Sequence, residues 1–264
     1  MRWTALLFLA ALLCGLAHAQ VKEACDVDIE DALREFDAQS PIEGTVVAAH
    51  CKPWPPAPNT VVAAVMAFRN AESDGPRQNW DVPAVIALLD VRTRQVIHGR
   101  RLTVYEDAGT RLGPDSLQLD VANYAVKPGL RALGLRFHND AHRPAGADGW
   151  WTDELMLLVP EGRVLRSVFC QPLLGQEAVE GSLDYRRPGA VWKTARLTLA
   201  VGPQAATGWH DLVATETLAL EGAKDATFDP TPHRSRVVFR YDGEHYKLRA
   251  KPAPFWSGYR CSFG

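Results

Sequence analysis

Short apolar runs separated by proline, glycine and asparagine fill the chain from residue 45 onward. Val61 to Arg69 and Pro83 to Val91 are almost wholly apolar, whereas Ser116 to Val126 alternates apolar and polar positions with a period of two. Alternation of this kind is typical of a strand with one buried face, and short apolar runs bounded by proline, glycine and asparagine are also typical of strands. The pattern therefore predicts an all-β fold of mostly antiparallel strands.

The order of strands and loops between Gly129 and Cys170 recurs elsewhere in the chain. In this stretch an apolar strand leads to a long polar loop, a tryptophan, a second strand, a tight turn and a third strand. Such self-similarity favours a repeated unit of about four strands. Three units fit a β-sandwich or a propeller-like arrangement better than a closed propeller, which typically has at least about four blades. The predicted units lie near residues 45–106, 116–177 and 190–250.

One short helix is predicted near the N-terminus, over Asp28 to Ala38. Ile29, Leu33 and Phe36 recur there at helical spacing, and Asp28 is a suitable N-cap residue. This amphipathic segment is expected to cover one end of a sheet.

The first nineteen residues have the features of a secretory signal peptide. Arg2 precedes an apolar run from Leu6 to Leu16, and Ala17 to Ala19 has the small-x-small cleavage pattern. Lipoprotein processing at Cys14 is not favoured, because Leu13 precedes it where a small residue is expected. A spanning helix would need roughly 20 apolar residues. We therefore expect residues 20–264 to form a single exported β domain, periplasmic or secreted, with no transmembrane span.

The charge balance argues against nucleic-acid binding. The 264 residues include 29 Lys and Arg against 31 Asp and Glu, with both signs interspersed. This near-neutral chain lacks the basic surface that binds nucleic acid or an anionic membrane. Its 47% apolar residues are enough to build a folded core.

Four cysteines follow the predicted cleavage site, and an even number in an exported chain indicates two disulfides with three possible pairings. Cys25 and Cys51 flank one short segment, which favours their pairing. Cys170 would then pair with Cys261 and hold the C-terminal region to the centre of the chain. The chain has no CxxC pair, so a cysteine-based zinc site is disfavoured.

The loop from 138 to 153 holds a candidate metal site. His138, Asp140 and His142 alternate, so an extended backbone would project all three to one side, where they could bind Zn²⁺ or a similar ion. Asp148 and Asp153 could complete the ligand set. The alternative is a solvated loop in which Asn-Asp begins a turn.

Tryptophans near predicted loops give a second candidate, a contact surface. Trp150 and Trp151 end the same loop, and Trp80 occupies the equivalent position in the first unit. Exposed tryptophan rings offer a large rigid area to sugars or partner proteins. The alternative is that each ring closes the end of its own sheet. Strand alternation places one ring of the 150–151 pair inward and the other outward.

No familiar catalytic motif is present: the sequence lacks GxSxG, HExxH, a P-loop and a dinucleotide-binding glycine pattern. Three stretches, YAVKPGLRALGLRF, DELMLLVPEGRVLRSV and GWHDLVATET with FRYDGEHYKL, resemble segments of uncharacterised exported proteobacterial β proteins. This resemblance covers roughly half of the chain. It implies export and β structure and no particular activity.

Together these features favour a non-catalytic periplasmic or secreted binding protein without a cofactor. Its partner would be envelope glycan or another protein, including an enzyme that it inhibits as an immunity protein does. The alternatives are a metal-dependent hydrolase that uses the 138–153 loop and a structural protein of the envelope.

Overall fold

The computed structural model describes residues 25–36, 40–70, 80–142, 147–180, 190–222, 231–250 and 253–264. One α-helix, α1 (Val27–Arg34), precedes the strands. Ile29 and Leu33 are buried on its inner face, as the helical spacing predicts. The predicted cap is wrong: Asp26 caps the helix through Ile29 N, and Asp28 lies in the first turn. The helix ends at Arg34, and residues 37 and 38 of the longer predicted helix lie outside the described residues.

The described residues form fourteen strands. They are β1 (Thr45–Pro53), β2 (Val61–Arg69), β3 (Trp80–Asp90), β4 (Val96–Glu106), β5 (Leu117–Asp120), β6 (Ala125–Lys127), β7 (Leu130–Arg131), β8 (Leu133–His138), β9 (Gly149–Glu161), β10 (Val164–Glu180), β11 (Val191–Gln204), β12 (His210–Gly222), β13 (His233–Tyr241) and β14 (Tyr246–Leu248). A single turn of 3-10 helix follows at Phe255–Gly258. The prediction of an all-β fold with one short N-terminal helix is confirmed.

The main sheet has the strand order β1-β2-β3-β4-β10-β11-β12-β13-β14, and β9, β8 and β5 extend it from β10. Strands neighbouring in this path pair antiparallel, except that β4 and β10 meet in one parallel pair, Gly99 with Val164. The short strands β6 and β7 form a separate two-stranded sheet. The sandwich or propeller-like arrangement and the three-fold repetition of one unit stay predictions.

The buried apolar side chains of the described residues form three hydrophobic cores. The first lies between β2, β3 and β4 on one side and β5, β8 and β9 on the other. The second packs β9 to β13 against Trp256 in the C-terminal segment, residues 253–264. The third lies under α1. Since β2 is covered on both faces, its residues 62–68 are all buried, which explains its continuous apolar run.

The stretch 116–126 is not one strand, as its alternation predicts, but two. Asp120 ends β5, because its carboxylate accepts hydrogen bonds from Ala122 N and from the Tyr124 hydroxyl. This Asx-type turn sends Tyr124 into the second core, while Leu117 and Leu119 remain in the first.

Both favoured cysteine pairs are confirmed. The N-terminal disulfide joins Cys25 to Cys51 with Cα atoms 5.4 Å apart, and the C-terminal disulfide joins Cys170 to Cys261 at 6.0 Å. Disulfides are compatible with a location outside the cytoplasm. The predicted signal peptide and Cys14 lie outside the described residues. Among those described, no helix has the length and apolar character that a membrane crossing requires.

Candidate functional site

The two ends of the 138–153 loop meet as neighbours on β8 and β9. His138 pairs with Asp153 across these strands, and His138 Nδ1 lies 2.8 Å from Asp153 Oδ1. Both side chains are exposed, at 55% and 39%. The structure thus brings together two of the residues that the sequence predicts for a metal site.

The other predicted ligands do not join them. Asp140 and His142 are exposed, and the Asp140 amide donates to the carbonyl of Arg111. Within the described ranges, His138, Asp140 and His142 are not brought within 4.8 Å of one another in a ligand group. Their role as ligands, completed by Asp148 and Asp153, stays a prediction.

A different ligand group does meet this distance, but it is chemically unsuited to a metal. Carboxylate and sulfur atoms of Glu154, Cys170 and Cys261 lie within 4.8 Å of one another. The two cysteines form the C-terminal disulfide. Since thiolates bind metals and a disulfide has none, we do not treat this cluster as a metal centre.

The predicted tryptophans occupy the start of β9. Trp150 is buried, with 9% of its surface exposed, and Trp151 is partly buried. The Trp151 ring packs against Phe255 and Tyr259, with ring centroids 5.8 Å and 5.3 Å away. Trp80 begins β3, and its side chain lies outside the described residues. The role of these tryptophans in ligand contact stays a prediction.

Next to these rings lies a cavity of about 270 Å³, which we call the tryptophan cavity. It is formed where the 107–110 turn, the start of β9 and the C-terminal segment meet. Aromatic and polar side chains line it together with small residues. The lining residues are Asp107, Gly109, Thr110, Asn139, Ala147, Gly149, Trp150, Trp151, Tyr259, Arg260 and Ser262.

Asn139 fixes the shape of this cavity, because its buried side chain links three segments. Its Nδ2 donates to the carbonyl of Gly109 at 2.7 Å and to that of Trp151 at 3.3 Å. Its Oδ1 accepts from the amides of Arg111 and Ala141. With donor and acceptor atoms both used, Asn139 serves the architecture of the cavity, and its amide has little capacity left for a ligand.

Behind the cavity, Glu154 of β9 holds the C-terminal segment. This carboxylate is only 3% exposed. It accepts hydrogen bonds from the amide of Ser262 at 3.0 Å and from the hydroxyls of Ser262 and Tyr259. The Cys261 sulfur lies 3.7 Å from Glu154 Oε2, so the disulfide and the carboxylate fix the same point of the segment.

Burial controls the ionisation of this group. Loss of solvation raises the pKa of the Glu154 carboxyl, and the hydrogen bonds from Ser262 and Tyr259 oppose that rise without cancelling it. The pKa of the Tyr259 hydroxyl is also raised, first by burial and then by the charge of Glu154. Tyr259 is therefore a neutral donor at physiological pH.

Three of the residues that line the cavity have polar groups left for a ligand. Asp107 and Arg260 are exposed, and Thr110 is partly buried. One oxygen of Asp107 accepts from Gly109 N at 2.7 Å, which leaves its other oxygen for a ligand. The cavity can thus offer a carboxylate, a guanidinium and a hydroxyl beside aromatic surface, a combination suited to a small polar ligand.

Comparison of the chain with protein-family models, with curated proteins and with solved structures gave no match.

Sequence reasoning identified the tryptophans of this cavity but missed its polar lining from remote segments. Glu154 and Ser262 are 108 positions apart in the chain, so no local pattern relates them. One available signal is the favoured Cys170–Cys261 pairing. It places residues beside Cys261 against β10 and hence near β9.

Proposed function

We propose that the protein is a non-catalytic binding protein of the cell envelope whose tryptophan cavity takes one sugar residue of an envelope glycan. A sugar ring has apolar C–H faces and a rim of hydroxyls. It therefore needs a site with aromatic surface and hydrogen-bonding side chains together. The observation that supports the proposal is the presence of both kinds of group around one cavity of about 270 Å³.

Each part of the lining has a role in this proposal. Trp150, Trp151 and Tyr259 supply rigid apolar surface at a low cost in side-chain entropy. Asp107 accepts hydrogen bonds from sugar hydroxyls, and Arg260 donates to ring and carbonyl oxygens. The fixed contacts of the C-terminal segment pre-organise the cavity, which reduces the entropy lost on binding.

The size of the cavity limits the ligand. Small-molecule sites typically measure about 300–1,000 Å³, so this cavity of about 270 Å³ lies just below that range. It fits one sugar unit of a longer chain, with neighbouring units in solvent. We expect weak affinity for a single unit and stronger retention on a polymer that presents many units.

Calorimetric titration of the disulfide-intact protein with chitotriose and with soluble muropeptides tests the proposal. We expect saturable binding, weakened about tenfold by Arg260→Ala and by Asp107→Ala, since a hydrogen bond to a charged group contributes about 1.5–3 kcal/mol. Arg236→Ala, on an exposed arginine of β13, is the matched control and should bind as the wild type does. Absence of saturable binding, or equal weakening by the control, would contradict the proposal.

A further inference from the structure

A second cavity lies between β4 and β10, where the main sheet is held by a single parallel pair. Gly99 pairs with Val164 there, and the Gly99 amide donates to the carbonyl of Arg163 at 3.0 Å. The cavity measures about 520 Å³, and we call it the arginine cavity. It shares no lining residue with the tryptophan cavity. Besides Gly99 its lining consists of Phe36, Arg100, Arg101, Val164, Leu165 and Arg166.

Gly99 allows an aromatic ring to form one wall. A Cβ atom at this position would lie 2.5 Å from the Phe36 ring, so only glycine permits the ring to lie directly against β4. Leu165 is buried, and Val164 is 52% exposed. The cavity therefore has a substantial apolar wall that is open to solvent at one side.

The three arginines differ in how well they are satisfied. Arg166 is fully engaged: it pairs with Glu161 and donates to the carbonyl of Glu244 and to the hydroxyl of Tyr241. Such an arginine has little capacity left for a ligand.

Arg101 and Arg100 retain unused donors. Arg101 donates from Nη2 to the carbonyl of Ser40, and its buried Nε has no partner among the residues that the structure describes. The half-buried Arg100 side chain makes no ion pair or hydrogen bond within the described part of the chain, and burial lowers its pKa. Neither arginine thus has an acidic partner among the described residues, an arrangement that costs free energy unless an anion is supplied.

We propose that the arginine cavity binds a single-chain amphiphile with an anionic head group, such as a carboxylate or a phosphate ester. The head group pairs with the unused donors of Arg100, since planar guanidinium groups bind oxyanions in defined geometry, and Arg101 adds a second positive charge nearby. The alkyl chain lies against Phe36, Val164 and Leu165. A volume of about 520 Å³ falls within the range of small-molecule sites, about 300–1,000 Å³.

The proposal is tested by calorimetric titration of the disulfide-intact protein with four probes below their micelle-forming concentrations. These are dodecanoate, dodecyl phosphate, octanoate and the neutral dodecyl maltoside. We expect at least one of the dodecyl anions to bind saturably at one per chain, and the neutral probe to bind at least about tenfold more weakly, since it makes no hydrogen bond to a charged arginine through an anionic group. The tighter of the two anions identifies the head group. Octanoate should bind roughly two hundredfold more weakly than dodecanoate, because each buried methylene contributes about fourfold in affinity.

Matched variants separate specific binding from general detergent binding. Arg100→Gln should weaken binding of the anion about tenfold, since a hydrogen bond to a charged group is lost. Arg236→Gln, at an exposed arginine of β13, should leave it unchanged. Thermal unfolding of both variants checks that the fold is kept. Equal affinity for the anionic and neutral probes, no saturable binding, or no effect of Arg100→Gln would overturn the proposal.

Discussion

The clearest energetic prediction concerns the attachment of the C-terminal segment to Glu154. We compare two variants that both remove the charge, Glu154→Gln and Glu154→Leu. In Glu154→Gln the amide oxygen can still accept from Ser262 N, and its NH₂ group can donate to the hydroxyls of Ser262 and Tyr259, which are free to rotate. In Glu154→Leu the buried donors lose their acceptor. The difference in unfolding free energy between the two variants therefore reports the hydrogen bonds alone, because both variants lack the charge.

The size of the difference in unfolding free energy follows from the three donors that face Glu154. A buried donor left without a partner costs about 1–3 kcal/mol. The two hydroxyls belong to partly buried residues lining the tryptophan cavity and can turn toward water, so only the Ser262 amide bears the full cost. We expect Glu154→Leu to be less stable than Glu154→Gln by about 2 kcal/mol.

Equilibrium unfolding in urea at neutral pH measures this difference. With a slope of about 2 kcal/mol per molar urea, the midpoint of Glu154→Leu should lie about 1 M below that of Glu154→Gln. The disulfides are kept intact so that the C-terminal segment remains covalently attached in both variants. Equal midpoints would refute the assignment of Glu154 as the acceptor that holds the segment.

Three further predictions concern stability. The pKa of the Glu154 carboxyl is raised in the folded state, so its contribution to stability is fully present below the unfolded-state pKa and is lost as pH rises through the folded-state pKa. Unfolding free energies measured from pH 4 to 8 should therefore fall by less in Glu154→Gln than in the wild type. Removing the C-terminal disulfide by paired Cys→Ser substitution should cost about 1 kcal/mol more stability than removing the N-terminal one, because the bridged residues are 91 rather than 26 positions apart and loop-closure entropy grows with loop length. Equal losses of unfolding free energy in chemical denaturation would contradict this. Gly175→Ala places a Cβ 2.0 Å from the Trp151 ring and should destabilise by about 2 kcal/mol, whereas Gly258→Ala meets nothing within 4 Å and should change the thermal midpoint little.

Local patterns predicted the elements of the fold well where burial follows a simple period. The spacing of Ile29 and Leu33 predicted the buried face of the helix, and the apolar run from Val61 to Arg69 predicted the strand β2. Asp242-Gly243 is a typical hairpin turn sequence, and β13 and β14 pair antiparallel on either side of it. In these cases the neighbours in sequence are the neighbours in space, so the signal is local.

The errors occurred where one polar side chain overrides a period. Asp26 competes with Asp28 for the helix cap, and both have suitable chemistry, so spacing alone does not choose between them. At Asp120 the carboxylate bonds to Ala122 and Tyr124 and ends a strand whose apolar alternation continues. Local side-chain hydrogen bonds of this kind leave little trace in the hydrophobic pattern.

The candidate site was predictable only in part, since its halves come from distant regions of the chain. Trp150 and Trp151 stand out in the sequence, whereas Tyr259 and Ser262 become neighbours of β9 only through the C-terminal disulfide and the buried Glu154. A buried glutamate within an apolar strand is itself a signal that a remote donor must reach it.

Occupancy of the tryptophan cavity by a sugar is the central claim, and NMR of the indole N–H resonances tests it most directly. Each tryptophan after the predicted cleavage site gives one such resonance, and Trp150 and Trp151 can be assigned by substituting each with phenylalanine. Titration with chitotriose or soluble muropeptides is predicted to shift these two resonances saturably and to leave those of Trp192 and Trp256 unchanged. Saturable shifts at other tryptophans with none at Trp150 and Trp151, or no shifts at all, would contradict the account.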